Sequence, residues 1–171
     1  MKVLGLGALE QRLQHDLNII GYPLNEWVPE KFTKEGERVL DVLIVGAGQG
    51  GLAIAFQLMR ERVNNVLVID KAEPGTEGPW INYARMPILR SPKEVNGPDL
   101  NIPSLSFQAW YEAQFGASSW EAMGKIPTKM WMDYLVWYRR ILQLPVENGV
   151  RLDTFEPYED IQKVTLCCLR T

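Results

Sequence analysis

The stretch that most limits what this chain can fold into runs from Asp41 to Leu58, Asp-Val-Leu-Ile-Val-Gly-Ala-Gly-Gln-Gly-Gly-Leu-Ala-Ile-Ala-Phe-Gln-Leu. It is completed by Val66-Leu-Val-Ile-Asp70. Val42 to Val45 is an unbroken apolar run, the pattern of a strand covered on both faces. Leu52, Ala53, Ala55, Phe56, Leu58 and Met59 give the following helix a broad apolar face. Val66 to Ile69 reads as a second buried strand with an acid, Asp70, at its end. Between the first strand and the helix, Gly46, Gly48 and Gly51 stand at G-x-G-x-x-G spacing.

That order suits the ADP half of a dinucleotide. Gly46 permits a tight turn out of the strand, Gly48 admits a pyrophosphate close to the backbone, and Gly51 lets the helix pack close to the sheet. The helix N-terminus offers free N–H groups and the positive end of its dipole to phosphates. The backbone at Gln49 and Gly50, where the turn enters the helix, is expected to face those phosphates. Asp70 is placed to accept hydrogen bonds from ribose hydroxyls, and Lys71 beside it leaves a 2′-phosphate, hence NADP, conceivable. The plainer alternative is a βαβ unit that binds nothing, with Asp70 only ending a strand.

Bulk properties narrow the class. With 171 residues the chain has about one domain's worth of length. Hydrophobic residues at 46% and charged residues at 23% are ordinary for a soluble globular protein. A net charge of −3 gives no reason to expect nucleic acid or an anionic membrane as partner. The N-terminal region lacks the long apolar run of a signal peptide or membrane span. Cys167 and Cys168 are adjacent and read as two free thiols in a reducing cytosol. His15, the single histidine, lies in a polar helical stretch and reads as a surface residue, which argues against a histidine triad or a multi-histidine metal site. No residue set reads as a general base, a nucleophile or a metal cage, so the catalytic residues stay unassigned.

Residues 1–37 precede the fold as a helix and an arm. Leu9, Leu13, Leu17 and Ile20 recur at helical spacing, so about 8–20 is an amphipathic helix, stopped by Gly21 and Pro23. Trp27-Val28-Pro29 is expected to pin an extended arm onto the rest. Residues 38–171 form the main unit: βαβ over 39–70, a loop and helical insertion over 72–145, and strands over 150–169. The loop at 72–103 carries many of the prolines and glycines and is too long for an idle connector. Ser104 or Ser106 is expected to cap a helix through Phe107, Trp110, Tyr111 and Phe115 that ends at Gly116. Another helix follows Pro127, and Val150–Phe155 and Ile161–Leu169 read as strands. The fold class is α/β: a partial Rossmann-like, doubly wound parallel sheet with a helical insertion.

Three segments carry a family resemblance. The strand–glycine turn–helix motif is one, and Gly78-Pro79-Trp80 after the second strand is another. The third is Ile126-Pro-Thr-Lys-Met-Trp-Met-Asp-Tyr-Leu-Val-Trp137. Together they resemble FAD-dependent, NADPH-using monooxygenases of the flavin-containing, Baeyer–Villiger and amine N-hydroxylase group, over about 39–155. The resemblance implies FAD on the first βαβ unit, NADPH as co-substrate on a second one, and oxygenation of a small organic molecule with a nucleophilic nitrogen, a sulfur or a carbonyl; the free thiols and the missing signal peptide point to a cytoplasmic location. The resemblance places Trp80 near the flavin ring, although a loop tryptophan is as often plain core. Arg85, Arg90 and Lys93 would steady a phosphate or reduced flavin, or serve only as surface charges. The helix around Trp131, Tyr134, Trp137 and Tyr138 would wall a substrate pocket, or simply fill the core.

The chain departs from that group in having no second glycine motif after Asp70 and no late Gly-Asp turn. Its ending reads as a truncated or frameshifted product, a split subunit or a fragment. A doubly wound sheet normally flanks its first strand on both sides. Without the later strand, Val42–Val45 is expected to present an open edge, which favours marginal stability or a second chain that supplies the missing half. Two other readings remain: a non-catalytic flavin- or partner-binding remnant, and the NAD(P)-binding module of a short reductase.

Overall fold

A computed structural model describes residues 5–95, 97–158 and 161–168. Helix α1 spans Leu6–Ile19, strand β1 Val42–Val45, helix α2 Gln49–Arg60 and strand β2 Val66–Asp70. A 3-10 turn at Pro103–Leu105 leads into α3 (Phe107–Phe115), α4 (Ala117–Ala122) and α5 (Thr128–Ile141). Strands β3 (Val146–Asn148), β4 (Val150–Tyr158) and β5 (Ile161–Cys168) follow. The first three strands form one parallel sheet in the order β1-β2-β3, while β4 and β5 pair antiparallel in a sheet of their own.

The expected βαβ unit is present with its register: Val42 pairs with Val66 and Val45 with Ile69. One expectation about it fails. Val42–Val45 is not covered on both faces: Val42 and Leu43 are only half-buried, and among the described residues β1 also lies at the edge of its sheet. Ile44 is buried, but Val45 is 59% exposed. The apolar run marks a strand that a full doubly wound sheet would enclose; here the open-edge expectation holds instead.

A continuous core joins the sheet to the helices. Ile44, Val66 and Val68 of the sheet, Leu52, Ala55 and Phe56 of α2, and Tyr134, Leu135 and Tyr138 of α5 belong to one buried cluster. Phe56 sits edge-on to both Tyr22 and Tyr138, with ring centroids 5.2 and 6.0 Å apart. Such pairs add about 0.5–1.5 kcal/mol each beyond area burial. Leu13 and Leu17 of α1 are fully enclosed, and Trp27 of the arm donates from Nε1 to the Glu61 carbonyl at 2.7 Å, as a pinned arm requires.

Of the two serines expected as a cap, Ser106 takes the role. Its Oγ accepts the Ala109 N–H at 3.2 Å, whereas Ser104 is buried and donates to Asp16. Helix α4 and strand β3 have no counterpart in the sequence reading, being too short to show a period. His15 is exposed. Leu169, placed in the last strand by pattern, lies outside the described residues, as do the side chains of Cys167 and Cys168.

Candidate functional site

The glycine turn leaves β1 held from two sides. The Gly46 N–H donates to the Ile69 carbonyl at 2.7 Å, tying the turn to β2, and Gly46 has φ +109°, which glycine alone adopts cheaply. A Cβ on Gly51 would stand 1.9 Å from the Gly46 carbonyl oxygen. The expected close packing of helix on sheet is therefore chiefly a contact of α2 with the turn's own backbone, with Ile44 of the sheet second at 3.4 Å. Gly48 is the N-cap and has no side chain to satisfy the helix donors. The Leu52 N–H closes the first helical bond to the Gly48 carbonyl at 3.0 Å. This leaves the N–H groups of Gln49, Gly50 and Gly51 without partners inside the helix, at its positive end.

A strap of residues 72–80 forms the opposite wall. Gly78, at φ +70°, faces Gly48 so closely that a Cβ on Gly48 would lie 3.6 Å from the Gly78 Cα. Trp80, half-buried beyond it, packs edge-on to Trp131 with centroids 6.4 Å apart. Turn, strap and sheet end enclose a cleft of about 680 Å³ that Gly46, Gly48, Asp70, Lys71, Gly78 and Arg151 help to line.

Asp70 occupies the expected position at the end of β2, and it has partners that sequence reasoning missed. Oδ2 accepts the Ala47 N–H at 2.7 Å and Oδ1 accepts the Ala72 N–H at 2.8 Å. The carboxylate thus joins the glycine turn to the strap, and each oxygen keeps a lone pair for a ribose hydroxyl. Lys71 is exposed at the rim.

A second cavity of about 280 Å³ adjoins the helix N-terminus, with Gln49, Trp80, Arg90, Thr128 and Trp131 among its lining. The indole N–H groups of Trp80 and Trp131 are buried without an acceptor. Of the three basic candidates, Arg90 reaches this cavity and Arg85 lines an open neighbouring groove. Lys93 is committed elsewhere: Nζ donates to the Trp120 and Met123 carbonyls at 2.5 and 2.8 Å and lies over the Trp120 ring.

In the aromatic helix, only Trp131 of the four candidates reaches the cavity. Tyr134 and Tyr138 are fully buried and donate to the Leu105 and Pro98 carbonyls at 2.8 and 2.7 Å. Burial pushes both phenols upward, with Asp99 reinforcing the shift. Trp137 donates to Glu10. These three residues are core.

Asn82, Tyr83 and the start of β4 also line this first cleft. No sequence signal marked them, because their place depends on where the strap and β4 come to rest. Among the described residues no group of three or more His, Cys, Asp or Glu is placed to hold a metal ion, and no helix is long and apolar enough to cross a membrane.

A parallel βαβ unit with a glycine turn, an uncapped helix N-terminus and a strand-end carboxylate around one cleft is the architecture of a dinucleotide-binding α/β protein. The chain belongs to the FAD-NAD(P)-binding family, whose model matches residues 43–163, more than half of its length. It is 53% identical, over 90% of its own length, to a FAD-dependent urate hydroxylase of Xanthomonas campestris pv. campestris, of which it spans 32%. It is 33% identical to the FAD-binding monooxygenase andJ of Emericella variicolor, over 43% of this chain and 16% of that protein. The substrate-free form of the rebeccamycin biosynthetic enzyme REBC superposes with a TM-score of 0.43 at 17% identity, over 76% of this chain and 29% of that one. The chain spans less than a third of the length of the curated relatives it matches.

Proposed function

We propose that this chain is the FAD-binding portion of a flavin-dependent monooxygenase that uses NADPH to oxygenate a small organic substrate in the cytoplasm. The observation that carries the reading is the cleft that Gly46, Gly48 and Gly78 line together, with the Asp70 carboxylate at its side. FAD fits its surroundings. The floor is a cradle that any Cβ on Gly48 would begin to fill. The donors of Gln49, Gly50 and Gly51 suit a pyrophosphate. Asp70 suits a ribose, and the unpartnered indole N–H groups of Trp80 and Trp131 suit acceptors on a heteroaromatic ring. FAD, when bound, supplies the redox and oxygen chemistry; the protein binds and orients it and excludes water.

The reading assigns residues 1–37 to a helix and arm and 38–171 to the FAD-binding unit. Names of relatives support it: both are FAD-dependent or FAD-binding, one a urate hydroxylase and one a monooxygenase. Urate is accordingly the first substrate to assay. The open edge of β1 favours a further strand from additional polypeptide, a second chain being one source.

Three outcomes of one experiment separate the alternatives. A purified protein carrying oxidised flavin, bleached by NADPH without air and recoloured in air, supports a monooxygenase portion. Flavin that no nicotinamide reduces supports a flavin-binding remnant. A colourless protein that binds NADP(H) but not FAD overturns the reading in favour of a reductase module.

A further inference from the structure

Behind the strap lies a buried ion pair that no sequence motif marked. Glu77 is 3% exposed, and each of its carboxylate oxygens is used. Oε1 accepts Arg139 Nη1 at 2.8 Å and Asn148 Nδ2 at 2.7 Å, while Oε2 accepts the Gly75 N–H at 2.8 Å. Arg139, at the end of α5, also donates to Asn148 Oδ1 at 2.7 Å and to the Val146 carbonyl at 3.3 Å. Asn148 in turn donates to the Ala72 carbonyl at 3.0 Å and stands beside Asp70 in the parallel register of β2 and β3. A line of hydrogen bonds therefore runs from α5 through Glu77, Asn148, Ala72 and Asp70 to Ala47 in the glycine turn.

We propose that Glu77, held by Arg139 and Asn148, is a positioning residue that sets the strap at its distance from the glycine turn and so fixes the width of the dinucleotide cleft. Glu77 is next to Gly78, the residue whose backbone faces Gly48. Regular structure does not hold the strap, since among the described residues it forms no helix or strand. Replacing the carboxylate by an amide leaves the volume nearly unchanged but removes one acceptor. In either orientation, the substituted side chain would turn an NH2 toward a donor, the Gly75 N–H on one side or Arg139 and Asn148 on the other. The strap then shifts while the core contacts of α5, made through Tyr134, Leu135 and Tyr138, are kept.

The proposal rests on the dinucleotide reading for its consequence but not for its geometry, and the experiment separates the two. FAD affinity and the visible circular dichroism of bound flavin are measured for the wild-type chain, Glu77→Gln and Arg139→Lys, with hydrogen exchange of the Gly75–Trp80 amides followed in the ligand-free proteins. In Glu77→Gln the strap amides should exchange faster while the α5 amides do not. Its FAD affinity should fall about tenfold, with an altered flavin spectrum. Arg139→Lys, which keeps the charge, should fall between, and it serves alone if Glu77→Gln does not fold. Strap exchange unchanged from wild type in the variants overturns the proposal. Faster exchange confined to the strap, in a chain that fails to bind FAD even as wild type, supports the positioning role and removes the cofactor reading instead. Faster exchange spread over α5 and β2 marks a merely structural pair and also overturns it.

Discussion

One carboxylate oxygen of Asp70 accepts the backbone N–H of Ala47 at 2.7 Å, across 23 residues of sequence. The other oxygen accepts the Ala72 N–H at 2.8 Å. The acid proposed to meet the cofactor's ribose is thus held in place by the glycine turn on one side and by the strap on the other. Preorganised acceptors of this kind lower the cost of binding because their geometry need not be assembled.

Asp70→Asn should lose both stability and cofactor affinity. The amide has one oxygen for two backbone donors, so one N–H faces an NH2. Leaving a partly buried donor unsatisfied costs about 1–3 kcal/mol. A thermal melt should register that loss, and a flavin fluorescence titration should show weaker FAD binding. A titration unchanged from wild type would remove Asp70 from the site.

Gly51→Ala should break the fold locally, whereas Gly50→Ala, one position away, should not. The Gly51 Cβ would collide with the Gly46 carbonyl oxygen at 1.9 Å, and relief requires moving backbone. We expect about 3 kcal/mol of destabilisation. A Cβ on Gly50 meets nothing within 4 Å, and alanine raises helix propensity there, by about 0.5–1 kcal/mol at most. Denaturant unfolding of the pair checks the contrast.

Gly48→Ala should separate binding from folding. Its φ of −69° suits alanine, and the nearest backbone to its Cβ is an ordinary 3.6 Å away. The melting temperature should hardly move. The methyl group would, however, stand where a pyrophosphate approaches the backbone, so FAD affinity should fall by about tenfold or more. Loss of stability without loss of affinity would reverse the assignment.

Alkaline pH should unfold the protein through its core tyrosines. Burial raises the Tyr22 phenol to about 12, and raises the Tyr134 and Tyr138 phenols well above their ordinary value. The unfolded chain releases these protons near pH 10, while the folded chain keeps them. Below about pH 10 both states hold the protons and stability is complete. Above it the folded state binds more protons, and stability falls as pH climbs toward 12, by about 1.4 kcal/mol per pH unit for each such tyrosine. Tyr22→Phe should reduce that slope, at a cost of about 1 kcal/mol at neutral pH for the lost bond to the Leu142 carbonyl. Denaturant midpoints measured from about pH 8 to 11 give both quantities.

The relation of the helices to the sequence shows what periodicity can and cannot carry. Helix α5 is legible because its apolar residues repeat over several turns, and Pro127 marks its start. Strand β3, three residues long, is not, since so short a run has no period. The same holds at the site. Gly46, Gly48 and Gly51 announce themselves by spacing. Glu77 does not, because its partner Arg139 lies 62 residues away.

By itself the sequence determined the βαβ unit, the glycine turn, the acid that closes β2 and the principal helices. Each of these is local: a spacing, a turn residue or a hydrophobic period acts between residues near one another in the chain. Tertiary structure alone decided that Asp70 spends one oxygen on the turn and one on the strap, that Gly78 comes to face Gly48, and that Tyr134 and Tyr138 serve the core while Trp131 reaches a cavity. It also decided that Val45, inside the apolar run of β1, is left exposed. These outcomes depend on which segments meet across the fold, and on burial, which a residue's type and spacing bias but only its neighbours in space complete.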